Sequence, residues 1–298
     1  MTQVVPSALY SRLEHFAKTG STNDVVRGWL AAETAEVCVA VAGEQESGRG
    51  RLGRTWTAPA GAALLLSLGF RPSWLAPDRV WRLGATVALA MADASEEVAG
   101  LPTGAVRLKW PNDLVVETGG PRANLAGIED PGVAAALLRA PVMLRKLAGI
   151  LGESDGLGTD DPRVVVGIGI NADWAAADFP AELASSMTSL REASAGRPID
   201  RDALLDAFLG HLEMRFEALK TGYFDIATWA GRQATTGRLV RLEGYGAVAD
   251  AAELHATGVD GATGALLVVA PGSDAEPQLV HAGEVLHVRL APQSAGPV

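Results

Sequence analysis

The first part of the chain alternates between short apolar runs and segments whose apolar residues recur every three or four positions. Residues 36–43 and 63–71 are nearly continuous apolar runs, which predict buried β-strands. Residues 77–98 and 200–220 carry an apolar stripe with helical spacing, which predicts two helices, the second capped by Asp200. Further strands are predicted at 146–151 and 163–170, and shorter helices are predicted to end at about 32 and to cover 224–233.

Residues 106–117 have the pattern of one strand with a polar interruption. The segment Lys109-Trp110-Pro111-Asn112-Asp113 stands in its middle, and proline is normally kept out of a central strand. We interpret the interruption as a bulge or bend that points the lysine and the aspartate at a site.

Two segments differ from the rest in composition. After about residue 234, short β-type runs at 238–242, 247–256, 265–269, 279–281 and 284–290 are separated by Gly and Asp. They predict a small separate barrel at 234–291 with a loose tail at 292–298. Residues 118–145 are rich in Ala, Gly, Pro and Leu and predict an inserted loop, with a short helix around 133–139. The first domain would then cover 1–233.

Composition and charge narrow the class of protein. A formal net charge of −10 argues against broad binding to nucleic acid or to anionic membranes. The one cysteine, Cys38, excludes an internal disulfide, and its apolar surroundings predict a buried side chain. No signal peptide and no apolar run of membrane-spanning length is recognised, so we expect a cytoplasmic protein.

Positive charge is concentrated in residues 45–56, which we call the arginine loop. Residues 48–54 contain three arginines and three glycines. Glycine lets backbone N–H groups approach a ligand, and arginine supplies a fork of donors for carboxylates and phosphates, so the loop is typical of an anion cradle. The spacing Gly48-x-Gly50-x-x-Gly53 also matches a dinucleotide fingerprint, but the helix that must follow is missing from the pattern. A solvated basic loop remains an alternative.

The other candidate side chains extend this cationic set. Arg49, Arg51, Arg54, Lys109 and Lys146 accompany one carboxylate, Asp113, a balance that suits phosphoryl or acyl-adenylate chemistry. No histidine-centred metal or triad site is recognised, and a Mg²⁺ bound mainly through a nucleotide would need few protein ligands. Residues 21–23, Ser-Thr-Asn, offer neutral groups for a urea or amide, although capping of the following helix is the favoured role. The glycines of Gly167-Ile168-Gly169 fit either close ligand approach or sheet packing.

Together these blocks resemble the bacterial biotin protein ligases. The blocks, in order, are Ser21-Thr22-Asn23, Gln45, the loop Gly48-Arg49-Gly50-Arg51-x-Gly53-Arg54-x-Trp56, Lys109 to Asp113, Lys146-Leu147-Ala148-Gly149-Ile150-Leu151, Gly167-x-Gly169-Ile170-Asn171 and Gly283-Glu284-Val285. The resemblance implies an α+β fold of the class II synthetase-like, biotin–lipoate ligase type, in which helices flank a central mixed β-sheet and a small SH3-like β-barrel follows. It also implies formation of biotinyl-5′-adenylate from biotin and Mg·ATP, then transfer of biotin to a lysine of a biotin carboxyl carrier protein.

The same resemblance implies roles for individual residues. The biotin-binding set is Ser21, Thr22, Asn23, Gln45, Gly48, Arg49, Gly50, Arg51 and Lys146. The ATP-binding set is Arg49, Arg51, Arg54, Trp56, Asn112, Lys146 and Asn171. Lys146, Arg51, Lys109 and Asp113 would be catalytic, with Asp113 guiding or deprotonating the incoming lysine. Trp56 and Trp110 would either wall the pocket or pack in a core.

Two departures and three rival functions accompany this interpretation. Only twenty residues precede Ser21, too few for the DNA-binding domain that many relatives carry, so we expect a ligase without repressor function. The 118–145 insertion is longer than the family's usual connection; we favour a surface loop over a lid.

The rival functions are a lipoate ligase or octanoyl transferase, a biotin-responsive repressor, and a ligand-binding module without turnover. Pairing of two copies through sheet edges stays open.

Overall fold

The computed structural model describes residues 9–119, 142–243, 253–282 and 287–290, together with 128, 130–133 and 136. Most of the 118–145 insertion, including most of the helix predicted at 133–139, therefore lies outside the described residues. So do the 283–285 segment and the 292–298 tail. In the part that is described, no helix is long and apolar enough to cross a membrane.

A seven-stranded sheet forms the centre of the molecule. Its strands are β1 (Arg12–Phe16), β2 (Cys38–Ala42), β3 (Ala63–Phe70), β4 (Val106–Lys109), β5 (Asp113–Thr118), β6 (Met143–Asp155) and β7 (Arg163–Asn171). They lie in the order β1-β2-β3-β7-β6-β5-β4, with β1 parallel to β2 and every other pair antiparallel. The predicted mixed sheet is confirmed.

Helices cover both faces of this sheet, as expected for the α+β class. They are α1 (Thr22–Ala31), α2 (Trp81–Ala99), α3 (Leu190–Ala193), α4 (Arg201–Lys220) and α5 (Ile226–Gly231). Alternate residues of β2 face opposite sides, so Cys38 and Ala40 pack with α1 while Val39 and Val41 join the main core under α2 and α4. Cys38 is a free, fully buried thiol, as predicted. Asp200 caps α4 as predicted, since its carboxylate accepts from the N–H groups of Asp202 and Ala203.

Residues 106–117 form two strands, so the prediction of one interrupted strand is wrong. β4 and β5 pair as an antiparallel hairpin in which Lys109 lies opposite Asp113. Pro111 has no N–H to give to a strand ladder, and the chain places it in the reversal between the strands. A bulge does occur, but further along, where β5 pairs with β6 between Leu114 and Val115.

A second, five-stranded antiparallel sheet follows. It consists of β8 (Arg238–Glu243), β9 (Glu253–Val259), β10 (Leu266–Val269), β11 (Gln278–Val280) and β12 (His287–Leu290), in the order β11-β10-β9-β8-β12. Of the strand predicted at 247–256, the residues before 253 lie outside the described part. Among the described residues no ladder joins β11 to β12, so a closed SH3-like barrel and a domain boundary at 233 stay predictions.

Trp110, at the tip of the β4–β5 hairpin, connects the two sheets. Its side chain is 3% exposed and lies in the core of the small sheet, and its Nε1–H donates to the Gly264 carbonyl at 3.0 Å. The residues around it are Val240, Leu242, Ala256, Leu266, Val268, Val280 and Val288. Of its two predicted roles, core packing is observed, and Trp110 also lines the cavity described below.

We predict that Trp110→Ala lowers the free energy of unfolding by about 3–5 kcal/mol, because it leaves a cavity in the small-sheet core. Trp110→Phe, which keeps a ring but loses the bond to Gly264, should cost less. Urea denaturation of both variants measures the difference. An unchanged unfolding free energy for Trp110→Ala would contradict this packing.

Candidate active site

A cavity of about 120 Å³ lies between α1, the arginine loop, the hairpin tip, β6 and β7. It contains most of the side chains that the sequence singled out. Those lining it are Ser21, Thr22, Asn23, Gln45, Arg49, Gly50, Arg51, Arg54, Trp56, Lys109, Trp110, Asn112, Asp113 and Lys146.

One end of the cavity is polar and uncharged. The Gln45 Oε1 atom accepts from the Thr22 N–H at 2.7 Å and from the Thr22 hydroxyl at 3.0 Å. The Ser67 hydroxyl lies 2.6 Å from Asn23 Oδ1. Ser21 occupies the N-cap position of α1 without a side-chain capping bond. The favoured capping role of this segment is therefore wrong, because Thr22 and Asn23 bond to other elements around the cavity instead.

The arginine loop closes on itself by short backbone contacts. The Gly50 N–H donates to the Arg54 carbonyl at 2.7 Å, and the Trp56 N–H donates to the Gly48 carbonyl at 2.9 Å. A Cβ on Gly48 would stand 2.4 Å from the Trp56 carbonyl oxygen, so this glycine permits the closure without itself lining the cavity. A single 3-10 turn, Arg51–Gly53, and then β3 follow, so the helix of a dinucleotide fingerprint is absent here.

Two arginines of the loop are held by other parts of the molecule. Arg49 donates to both carboxylate oxygens of Asp24 on α1, each at 2.7 Å. This hydrogen-bonded pair lowers the pKa of Asp24 and raises the pKa of Arg49, so both stay charged throughout the neutral range. Arg51 donates to the carbonyl of Ala282, which follows β11 of the second sheet. Burial lowers the pKa of Arg51, while the nearby Asp113 acts in the opposite direction.

Lys146 and Asp113 form an ion pair at the charged end of the cavity. The Lys146 Nζ atom lies 2.6 Å from Asp113 Oδ1 and 5.6 Å from the centre of the Trp56 ring. The β5–β6 bulge explains why Lys146 lines the same cavity as Gly149, three positions along the strand. Without the bulge, strand alternation would place these two residues on opposite faces.

Glycines on β6 and β7 leave space for two side chains of the site. A Cβ on Gly169 would stand 2.7 Å from the Trp56 indole, and one on Gly167 would stand 2.1 Å from Asn23 Oδ1. The indole Nε1–H of Trp56 is buried and has no hydrogen-bond partner. The groups that approach these glycines are side chains of the protein itself, which agrees with packing on the sheet, and close approach of a ligand stays a prediction.

Two predicted ligand contacts are engaged elsewhere. The Asn171 side chain is 4% exposed, donates to the Thr188 carbonyl at 2.9 Å and does not line the cavity. Asn112 lines the cavity, but its Nδ2 donates to the Ile150 carbonyl at 2.9 Å.

Sequence reasoning missed two polar residues, Ser67 and Glu153. Ser67 is a fully buried hydroxyl inside the otherwise apolar strand β3, and that polar position was the available signal. Glu153 lies on β6, where its carboxylate accepts from Asn23 Nδ2 at 2.6 Å. A glutamate near the end of a strand gives no comparable signal, because an exposed glutamate is common there.

Comparison with known proteins places the chain in a family. A sequence model described as the biotin/lipoate A/B protein ligase family matches residues 16–171. The chain belongs to this family. The biotin–acetyl-CoA-carboxylase ligase of Mycobacterium tuberculosis is 30% identical over 237 residues, which cover 78% of this chain and 75% of the relative. The bifunctional ligase/repressor BirA of Bacillus subtilis is 31% identical over 189 residues, which cover 63% of this chain and about half, 49%, of that protein.

Solved structures support the fold. The biotin protein ligase of Aquifex aeolicus in complex with biotin and ATP matches with a TM-score of 0.70 at 22% identity, covering 95% of this chain and 100% of that one. The Leishmania major ligase in complex with biotinyl-5-AMP matches with a TM-score of 0.55 at 22% identity, covering 90% and 98%. The family's fold thus extends over both sheets of this chain.

We predict that Gly169→Ala displaces the Trp56 ring and costs about 1–3 kcal/mol of stability, because the added methyl group overpacks the contact. Two-dimensional NMR should show a shifted Trp56 indole N–H signal, assigned with Trp56→Phe. Gly258→Ala is the matched strand control, since its Cβ would meet its nearest neighbour at 3.8 Å. An unmoved indole signal in Gly169→Ala would contradict the contact.

Proposed function

We propose that this protein is an ATP-dependent biotin–protein ligase. It forms biotinyl-5′-adenylate from biotin and ATP and transfers biotin to a lysine of a biotin carboxyl carrier protein. Family membership and the likeness to the Mycobacterium tuberculosis ligase support the enzyme class. The single structural observation that carries the proposal is a cavity with a neutral polar end and a cationic end, covered by the arginine loop.

The neutral end favours biotin over lipoate. Thr22, Asn23 and Gln45 present amide and hydroxyl groups, which can exchange hydrogen bonds with the N–H and C=O groups of biotin's ureido ring. The dithiolane ring of lipoate has no such groups, so it could return no hydrogen bonds to these polar side chains. A site built to hydrogen-bond a ligand rejects an analogue that cannot return the bonds.

The cationic end suits adenylate formation. In the first step a carboxylate oxygen of biotin attacks the α-phosphorus of ATP, and pyrophosphate leaves. Arg51, Arg54 and Lys146 line this end and would stabilise the charge that develops on the carboxylate and phosphate oxygens. Gly50 would present its backbone to the ligand, and Trp56 would close one wall of the pocket.

The second step forms an amide with the carrier. The lysine amine attacks the acyl carbon of the mixed anhydride, AMP leaves, and the amine loses a proton. Asp113 is the nearest candidate to guide or accept that proton, and Lys109 lies opposite it in the hairpin. In the free protein Asp113 is paired with Lys146, so ligand binding must rearrange the pair before Asp113 can act.

Magnesium fits this site only as part of the substrate. Among the described residues no three His, Cys, Asp or Glu side chains cluster so that they could hold a metal ion. A Mg²⁺ carried by the triphosphate would neutralise phosphate charge and needs few protein ligands. On the name of the Mycobacterium tuberculosis relative, we propose the carrier of acetyl-CoA carboxylase as the acceptor.

The decisive experiment is pyrophosphate release from the purified protein. It should require biotin and ATP together, and a carrier domain added afterwards should become biotinylated. Lipoate in place of biotin should give a rate lower by about 10³ or more, as expected when polar groups of the site lose their partners. Equal rates with both acids would favour the lipoate ligase instead, and binding without pyrophosphate release would favour a module without turnover.

We predict that Lys146→Ala slows adenylate formation by about 10²–10³, the usual loss when one charge-stabilising donor is removed. Lys146→Arg keeps the charge and should retain more activity. Single-turnover pyrophosphate release measures the step, and circular dichroism should show an intact fold. The control is Lys220→Ala, which removes an exposed lysine at the end of α4. Near-normal turnover in Lys146→Ala would refute the role of Lys146 in adenylate formation.

A further inference from the structure

The side chain of Glu153 joins three groups around the polar end of the cavity. Its Oε2 atom accepts from Asn23 Nδ2 at 2.6 Å and forms an ion pair with the Arg27 guanidinium at 2.7 Å, and its Oε1 lies 3.7 Å from Arg49. The side chain is 29% exposed, so the contacts stand in a partly desolvated place where charge-assisted bonds gain strength.

The carboxylate fixes the orientation of the Asn23 amide. A carboxylate can only accept hydrogen bonds, so the NH₂ end of the amide must face Glu153. The carbonyl end, Oδ1, then faces the Ser67 hydroxyl at 2.6 Å and lies over Gly167. Asn23 is 5% exposed, and a flipped amide would turn its carbonyl oxygen towards the Glu153 carboxylate, so that two acceptors would face each other.

The same carboxylate belongs to the clamp on the arginine loop. Asp24 holds Arg49 through two bonds of 2.7 Å, and Arg27 bridges Asp24 and Glu153 at 2.6 and 2.7 Å. Two carboxylates, one from α1 and one from β6, therefore flank the first arginine of the loop that covers the cavity.

We propose that Glu153 is a positioning residue for biotin binding, which presets the Asn23 amide and, together with Asp24, holds the arginine loop closed over the bound ligand. The inference rests on the proposed function for its ligand. Glu153 acts through Asn23 and Arg49, so its loss should weaken ligand binding and retention more than the chemical step. Ordering these groups before biotin arrives removes part of the entropy cost of binding.

Three variants separate the two contacts. Glu153→Ala removes both the contact with Asn23 and the contacts with the arginines. Glu153→Gln keeps an acceptor for Asn23 but loses the charge that attracts Arg27 and Arg49. Asp24→Asn weakens the loop clamp alone. For Glu153→Ala we expect KM for biotin to rise about 10-fold or more, with kcat for adenylate formation within about 3-fold of wild type. For Glu153→Gln, KM should stay within about 3-fold. Release of biotinyl-5′-adenylate should be faster in all three variants, and Glu217→Ala, an exposed glutamate on α4, is the control.

A second measurement needs no ligand. Limited trypsin digestion of the free protein should cut at Arg49, Arg51 or Arg54 faster in Glu153→Gln and Asp24→Asn than in wild type, since the clamp is weakened. The positioning role would be overturned if Glu153→Ala and Glu153→Gln had the same KM for biotin, the same rate of adenylate release and the same rate of loop cleavage as wild type. A fall in kcat with unchanged KM would also overturn it. Absence of pyrophosphate release from wild type would instead overturn the proposed function, and the trypsin result would still decide the clamp.

Discussion

The site depends on a patch of the large sheet that has no side chains. Gly149 on β6 lies directly opposite Gly169 on β7, and Gly167 follows two positions before Gly169. The Trp56 indole and the Asn23 amide occupy the space above these glycines. Any larger residue would push the arginine loop and α1 away from the sheet. The cavity between them would then no longer be enclosed by the sheet on one side and by the loop and helix on the other. Close backbone approach is therefore the condition for every other contact in the site.

Two of the positively charged side chains of the site are held in ion pairs. The protein carries a net charge of −10, and Arg49 and Lys146 are each paired with a carboxylate, Asp24 or Asp113. Such pairs fix the position of a long, flexible side chain before an anionic ligand arrives, which limits the ordering cost at binding. The two pairs behave differently. Arg49 is bound bidentately to α1, whereas Lys146 and Asp113 pair with each other at the charged end of the cavity.

Sequence reasoning predicted features that follow from local pattern and missed those that follow from register. The strands at 36–43 and 63–71 and the capped helix at 200–220 were predictable, because apolar period and cap chemistry are local. The cationic set was predictable because one loop concentrates it. The hairpin at 106–117 depends on the pairing of β4 with β5, and the bulge that directs Lys146 depends on the pairing of β5 with β6; one sequence does not display either pairing. Ser67 and Glu153 act through contacts with residues far along the chain, and the core around Trp110, one of its two predicted roles, is likewise built from distant residues.

The position of Trp110 makes the hairpin tip part of two structures at once. Its indole completes the core of the small sheet, while Lys109 and Asp113, close to it along the chain, line the charged end of the cavity. A chimaera that exchanged the C-terminal sheet between two relatives would therefore have to carry the hairpin tip with it. Tip and sheet pack as one unit, so a substitution on the far side of the small-sheet core would act on the cavity through the position of the hairpin tip.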